Sequence, residues 1–117
     1  MNYLLLIYSN ETEFMALGEA GLKRMTDDYT EFTKSIVQAG HFKAGDRLKP
    51  AATASTVRVR NGKTAITDGP FAETREQLGG YYLIEAKNLD EATAIAARIP
   101  GAKIGSIEVR PVWPPIS

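Results

Sequence analysis

The spacing of apolar residues in the first third of the chain predicts a strand followed by a long helix. An unbroken apolar run at residues 3–8 is typical of a buried strand, and the polar pair Ser9-Asn10 ends it. The next segment carries apolar residues three and four positions apart, which places them on one helix face. Gly40 is the residue type that often follows a helix end. The members of that apolar stripe are Leu22, Met25, Tyr29, Phe32 and Ile36.

The rest of the chain predicts a hairpin, three further strands and a second helix. Alternating residues at 56–60 lead into Asn61-Gly62, and a second run at residues 63–67 follows. Because Asn and Gly both tolerate positive φ, this pair is a strong signal for a tight hairpin turn. The other predicted elements are strands at residues 42–48, 80–86 and 106–113, and a helix that begins at Asn88 and stops at Pro100.

This order of elements predicts a single α+β domain over residues 1–117. The order β, long α, β, hairpin, β, α, β indicates a ferredoxin-like split β-α-β with an added β-hairpin and with both helices on one face of the sheet. Neighbouring residues in a strand point to opposite faces, yet Leu4 and Leu5 are both apolar, and so are Tyr82 and Leu83. Two helices cover only one face, and the other would be an apolar patch that is rare on a monomer. We therefore expect a homodimer in which a second copy covers it.

Composition limits the classes of partner. The 117 residues are 44% hydrophobic and 24% charged, as in an ordinary globular protein, and 14 Lys and Arg balance 14 Asp and Glu. This balance argues against direct binding to nucleic acid or to an anionic membrane. No apolar stretch approaches the ~18 residues of a membrane helix, and the chain has no cysteine, which suits a reducing cytoplasm. No nucleotide-binding or calcium-binding motif is present, so we expect no cofactor.

A long segment, from Asp68-Gly69-Pro70-Phe71 through residue 82, resembles the signature of the DGPF branch of the YCII-related family. Residues 52–58 and 109–112 extend the resemblance over nearly the whole chain. It implies a ferredoxin-like domain that pairs as a dimeric α+β barrel, with a cleft for an unknown small molecule near this loop. Genes of this branch often lie beside extracytoplasmic-function sigma factors. The alternative function is therefore a non-catalytic regulatory partner of such a factor.

The resemblance also suggests acid and base chemistry, and Asp68 and His41 are the candidate catalytic residues. The wider family has a proposed His–Asp pair whose histidine lies on the long first helix, where this chain has no histidine and where Tyr29 is expected to take its place. Asp68 could be a general acid or base, or it could form an Asx turn with Gly69 and Pro70. His41, the single histidine, could act as a lone general acid or base, or it could be a surface residue after a helix end. One histidine without cysteine predicts no metal site.

The candidate ligand-binding residues lie around the same loop. Arg58 could pair with an anionic ligand, or it could belong to a solvent-exposed strand face. Glu73 and Arg75 could contact a ligand, or they could form a weak ion pair on a solvated turn. Phe71 could be the apolar wall of a pocket, or part of a core or interface. Together with Tyr29, these residues predict a site for a small molecule, and the sequence leaves open whether the chain is an enzyme.

Overall fold

The structure is a computed structural model that describes residues 1–116. Its helices and strands are, in chain order, β1 (Asn2–Ser9), α1 (Glu11–Met15), α2 (Gly18–Gln38), β2 (Phe42–Arg47), β3 (Ser55–Arg60), β4 (Lys63–Asp68), β5 (Gln77–Glu85), α3 (Leu89–Ala97) and β6 (Ser106–Pro111). Short 3-10 helices at Ala51–Thr53 and Pro100–Lys103 lie in two of the connections. The predicted elements are present, and α1 is an addition that the apolar spacing did not indicate.

The main sheet has the strand order β2-β5-β1-β6, and every neighbouring pair is antiparallel. This is the ferredoxin-like arrangement that the order of elements predicted. The two strands that are apolar on both faces, β1 and β5, lie at the centre, so that Leu5 pairs with Tyr82 on one side and with Val109 on the other. The hairpin β3–β4 forms a sheet of its own and is inserted between β2 and β5.

The core lies between one face of this sheet and the helices. From the strands it contains Tyr3, Leu5 and Ile84, and from α2 it contains Phe32 and Ile36, all of them buried. The apolar face of α3 that its spacing predicted is buried as well, and its members are Ala92, Ile95 and Ala96, with Ile99 just beyond the helix. Complete removal of such side chains from water is the main source of stability in a domain of this size.

The opposite face of the main sheet carries no helix. We call it the helix-free face, and its apolar centre is formed by Leu4, Leu6 and Leu83, which the strand register places side by side. All three are half-buried in the single chain, because neighbouring side chains of the same sheet cover part of each. The sheet is therefore apolar on both faces, and the helices account for only one of them.

Side-chain caps define where α1 and α3 begin. The carboxamide oxygen of Asn88 accepts from the amide of Glu91 at 2.9 Å, and the Glu91 carboxylate accepts from the amide of Lys87 at 2.9 Å, which confirms the predicted helix start. Asn10 caps α1 in the same way, since its side chain accepts from the amide of Glu13 at 2.9 Å. The helix α2 ends at Gln38, two residues before Gly40, which has a φ of +80°.

The hairpin β3–β4 projects from the body of the molecule. Its turn has positive φ at both central residues, 54° at Asn61 and 74° at Gly62, as the sequence predicted. Within residues 1–116, β3 and β4 pair with each other and with no other strand. We call residues 55–68 the hairpin arm. The radius of gyration is 16.2 Å, against about 13 Å for a compact domain of about 100 residues, which reflects this projection.

Replacing Gly62 with valine is expected to destabilise the arm by about 1 kcal/mol or more, because a Cβ disfavours positive φ. An added Cβ meets no atom within 4 Å, so the cost arises from the backbone alone. We expect amide hydrogen exchange in the arm to accelerate about fivefold or more. The control is Thr64→Val on the exposed strand beside the turn. An unchanged rate of amide hydrogen exchange in the arm of Gly62→Val would show that the positive φ at this residue does not determine the stability of the arm.

Candidate functional site

A cleft of about 380 Å³ lies between α2 and the sheet. Strands β1, β2 and β5 form its floor, and α1 and the middle of α2, residues 25–33, form its walls. We call it the α2 cleft. Its apolar lining consists of Ile7, Phe14, Met15, Met25, Phe42, Leu48 and Ile104. Small-molecule sites in proteins have volumes of roughly 300–1,000 Å³ and mostly apolar walls, so the α2 cleft is of the size and character of a ligand site.

The cleft exists because α2 packs unevenly and the floor lacks side chains. Towards the C-terminal end of α2, Phe32 and Ile36 are buried against the sheet, whereas Met25 and Tyr29, in the preceding turns, are only half-buried. On the floor, the strand register places Gly45 beside Tyr82 and Gly80 beside Arg47, on the face that points to the helices. A Cβ at Gly45 would lie 2.8 Å from Cδ1 of the Tyr82 ring, which occupies that space instead.

Tyr29 is the member of the predicted site that the structure places in this cleft. Its hydroxyl accepts from the amide of Gly101 at 3.2 Å, and a Cβ at Gly101 would lie only 2.6 Å from that oxygen. Burial raises the pKa of Tyr29 to about 12, although the Gly101 amide and the nearby positive charge of Arg47 act in the opposite direction. Tyr29 is therefore neutral at physiological pH, and its hydroxyl hydrogen is oriented by no acceptor within residues 1–116.

A second hydroxyl pair lies on the same wall. Thr33 of α2 and the Tyr82 hydroxyl are 2.6 Å apart and share a hydrogen bond. Burial also raises the pKa of Tyr82, although the hydrogen bond with Thr33 opposes the rise. The ring of Tyr82 packs edge-on against Phe32 and Phe42, with centroid distances of 5.3 and 6.3 Å, so its position is fixed by its neighbours.

Arg47, at the end of β2, is one of two cations that line the cleft, and Lys49 is the other. Its guanidinium carbon lies 5.8 Å from the centroid of the Phe14 ring, a cation–π distance that holds the side chain over α1. Among residues 1–116 it has no ion-pair partner. Two acids line the cleft as well. Glu11 accepts from the amide of Ala51 at 2.7 Å, and its own amide donates to Gln77 at 2.9 Å, while Asp46 accepts from the Tyr81 hydroxyl at 2.7 Å. The positive charge of Arg47 is therefore free to meet an anion.

The other predicted ligand-binding residues lie outside the α2 cleft in the single chain. Asp68 ends β4 and is exposed, and Arg58 is exposed on β3. Phe71 is 80% exposed, and Glu73 and Arg75 are exposed in the loop that leads to β5. That loop passes close to α1, because the Asn10 side chain donates to the carbonyl of Arg75 at 3.0 Å. Their roles stay predictions.

His41 lies on a different part of the molecule from Asp68. Its Nδ1 is 2.8 Å from the carbonyl oxygen of Glu85 and 4.0 Å from a carboxylate oxygen of Glu91, at the N-terminal end of α3. The single chain therefore does not bring the two candidate catalytic residues together. Within the part of the chain that the structure describes, no group of three or more His, Cys, Asp and Glu side chains is placed to hold a metal ion.

Several residues of the cleft were not among the predicted site residues. Thr26 and Thr33 lie on the same side of α2 as Tyr29, at helical spacing, and this stripe of hydroxyls is a signal that the sequence does contain. Arg47 and the floor glycines gave no such signal, because their meeting depends on how β2 is aligned against β5.

Among the helices of residues 1–116, none has the length and apolarity to cross a membrane.

These features define a class of small ferredoxin-like α+β proteins with a hairpin inserted into the fold and an apolar cleft under the long helix. The chain belongs to the YCII-related domain family, whose model matches residues 1–116. It is 40% identical over 114 residues to an uncharacterized protein of Rhizobium meliloti (strain 1021), and the match covers 96% of this chain and 92% of that protein. The predicted membership of the YCII-related family is confirmed.

Proposed function

We propose that this chain binds a small amphipathic anion, an apolar ring or chain with one carboxylate, in the α2 cleft. The observation that carries the proposal is the guanidinium of Arg47, which has no ion-pair partner among residues 1–116 and lies at a mainly apolar cleft. A planar guanidinium forms two parallel hydrogen bonds with a carboxylate, and such charge-assisted bonds are the strong ones. The apolar lining would cover the remainder of the ligand, whose removal from water supplies affinity.

The hydroxyls on the α2 wall would orient a ligand bound in the proposed site. Tyr29 stays protonated because its pKa is about 12, and its hydrogen can therefore be donated to an oxygen of the ligand. A phenol in this state is a poor base near neutral pH, so we assign Tyr29 to binding and orientation rather than to proton abstraction. Acid and base catalysis by Asp68 and His41 is a separate proposal, and Asp68→Asn tests it, because asparagine retains the turn and loses the acid.

The finer family and cellular assignments are proposals as well. We place the chain in the DGPF branch because Asp68-Gly69-Pro70-Phe71 lies within a long matching segment. We propose a cytoplasmic location, which the absence of cysteine supports. We also propose self-association as a homodimer through the helix-free face, since that face is apolar and has no helix over it. Regulation of a sigma factor is the alternative, and the exposed arm is the surface that favours it.

Arg47→Gln is expected to weaken binding of 4-phenylbutyrate about tenfold, because a hydrogen bond to a charged group contributes about 1.5–3 kcal/mol. The neutral amide of the same probe should bind the variant and the native chain with similar affinity. Isothermal titration measures both probes, and amide chemical shifts of residues on α2 and β2 locate the bound molecule. The matched control is Arg58→Gln, which removes an exposed guanidinium outside the cleft.

The two arginine variants distinguish two possible binding sites, the α2 cleft and the loop that begins at Asp68. Loss of carboxylate binding in Arg58→Gln, with Arg47→Gln unaffected, would move the ligand to the loop that begins at Asp68. Equal affinity of Arg47→Gln and the native chain for the acid, or a preference for the amide, would refute anion recognition by Arg47. Chemical shifts confined to the helix-free face would show that the probe does not enter the α2 cleft.

A further inference from the structure

A second groove, of about 480 Å³, lies between α2 and the segment of residues 98–104 that follows α3. We call it the α3 groove. Met25 and Ile104 line both this groove and the α2 cleft, so the two spaces are neighbours. Arg47, which carries the proposal for the α2 cleft, does not line the α3 groove. The α3 groove therefore has polar side chains of its own.

The α3 groove carries charges of opposite sign on its two walls. On α2, the acids Asp28 and Glu31 lie three residues apart and so share one helix face. On the other wall, the bases are Arg98 and Lys103. All four are exposed, and within residues 1–116 no side-chain nitrogen of these bases lies within 4.0 Å of a carboxylate oxygen of these acids. The groove therefore holds two positive and two negative charges apart across an open space.

Two contacts with α2 fix the position of Arg98. Its guanidinium carbon lies 5.5 Å from the centroid of the Phe32 ring, and the guanidinium donates to the Ser35 hydroxyl at 2.5 Å. Phe32 belongs to the buried core, so the ring that supports the cation is itself held in place. A guanidinium has five N–H donors, and the bond to Ser35 leaves others for a ligand. Arg98 is therefore a positioned cation that has no carboxylate partner within residues 1–116.

We propose that the α3 groove binds a small dipolar ion of the amino-acid class, with one carboxylate and one ammonium group. The carboxylate pairs with the guanidinium of Arg98, whose planar shape matches it with two parallel hydrogen bonds. The ammonium group, which has three donors, lies beside the carboxylates of Asp28 and Glu31. The carbon chain between the two charges packs on the apolar part of the lining, which includes Met25 and Pro100.

The mixed charge of the lining favours a dipolar ligand over a simple ion. A simple anion at Arg98 is repelled by the two carboxylates on α2, and a simple cation at those carboxylates is repelled by Arg98 and Lys103. A molecule that carries both charges meets a charge of opposite sign at each end. This site and its ligand do not depend on the function proposed for Arg47, because the two sites share no polar side chain.

Titration with 6-aminohexanoate tests this site, because its flexible chain lets the two charged ends adopt the spacing of the two walls. Amide chemical shifts of the native chain should change at residues 28–35 and 98–104, and their dependence on probe concentration gives the affinity. Arg98→Gln is expected to weaken binding about tenfold, because hydrogen bonds to charged groups are the stronger ones. The same variant should bind 6-aminohexanamide, which has no carboxylate, with the affinity of the native chain. Asp28→Asn is expected to weaken binding of both probes about threefold.

Asp27→Asn is the matched control for the acid. Asp27 adjoins Asp28 in sequence, but it pairs with Lys23 at 3.2 Å and does not line the groove. This variant should therefore bind 6-aminohexanoate as the native chain does. Should Arg98→Gln fold poorly, the comparison of Asp28→Asn with Asp27→Asn decides, since both residues are exposed on α2.

Three results would overturn the proposal. Equal losses of affinity in Asp27→Asn and Asp28→Asn would show that the probe responds to the general surface charge. Shift changes located on β2, with binding lost in Arg47→Gln, would place the probe in the α2 cleft. A native chain whose amide shifts do not respond to 6-aminohexanoate would show that the α3 groove does not bind a dipolar ion.

Discussion

Gly105→Ala is expected to lower the free energy of unfolding by about 3 kcal/mol, since overpacking of a tight site costs about 1–3 kcal/mol or more. A Cβ at Gly105 would overlap the backbone carbonyl oxygen of Tyr8 and lie 3.1 Å from the Cα of Ser9. Both are main-chain atoms of a central strand, so no side-chain rotation can relieve the contact. The start of β6 has to move away from β1, which weakens the pairing of Tyr8 with Ser106.

A second glycine at the same end of the sheet provides the matched control. A Cβ at Gly79 would meet only the carbonyl oxygen of Ile7, at 3.9 Å, and Gly79 does not have positive φ. We expect Gly79→Ala to leave the free energy of unfolding, measured by urea denaturation, within about 0.5 kcal/mol of the native value. If Gly105→Ala and Gly79→Ala shift the midpoint equally, then the two strands approach each other less closely than the structure shows.

The chain is expected to lose about 2–3 kcal/mol of stability between about pH 10 and about pH 12, because one pKa unit corresponds to about 1.4 kcal/mol. Tyr29 has a pKa near 10 when unfolded, and burial raises it to about 12 in the folded chain. Above the lower value, the unfolded state releases a proton that the folded state still holds, so rising pH favours unfolding. The stabilising effect is complete below pH 10 and is lost as the pH passes the folded value. Urea midpoints across this range measure it.

Tyr29→Phe isolates the contribution of this hydroxyl. The variant retains the ring and has no proton to release, so we expect its stability to fall less steeply over the same pH range. Near neutral pH it should be less stable by about 1 kcal/mol, because the Gly101 amide loses its acceptor. Tyr82 contributes alkaline sensitivity to both proteins, since burial raises its pKa too. If the free energy of unfolding falls with pH equally steeply in the native chain and in Tyr29→Phe, the result would contradict the burial of the Tyr29 hydroxyl.

The fold could be predicted because its signals are local. The apolar run of β1, the stripe on α2 and the Asn61-Gly62 turn each depend on residues close in sequence, and each has the predicted structure. The helix α1 was missed because five residues are too few to show an apolar stripe. Its start is nevertheless marked by Asn10 and Glu13, the same spacing of cap and acid that identified α3.

The site was predicted less well because its geometry is not local. The family resemblance predicted Tyr29 through its place on the long helix, but Arg47 reaches the cleft only because β2 aligns with β5 so that Arg47 lies beside Gly80. A bulge between Phe42 and Ala44 sets that alignment, and nothing in the neighbouring residues indicates it. Arg58 was a candidate because of its charge. The charge pattern alone does not distinguish a residue on an exposed hairpin from a residue that lines a cleft.

The strand order has a consequence for how the chain folds as it is synthesised. The strand β1 is made first, yet its two neighbours, β5 and β6, belong to the last part of the chain. Until the residues of β5 leave the ribosome, Leu5 and Ile7 have no strand to pair with, and only local structure such as α2 can form. Pairings between such distant segments slow folding, because a long loop has to close before any contact stabilises it. The apolar residues of β1 therefore remain exposed to chaperones and to aggregation until β6 is complete.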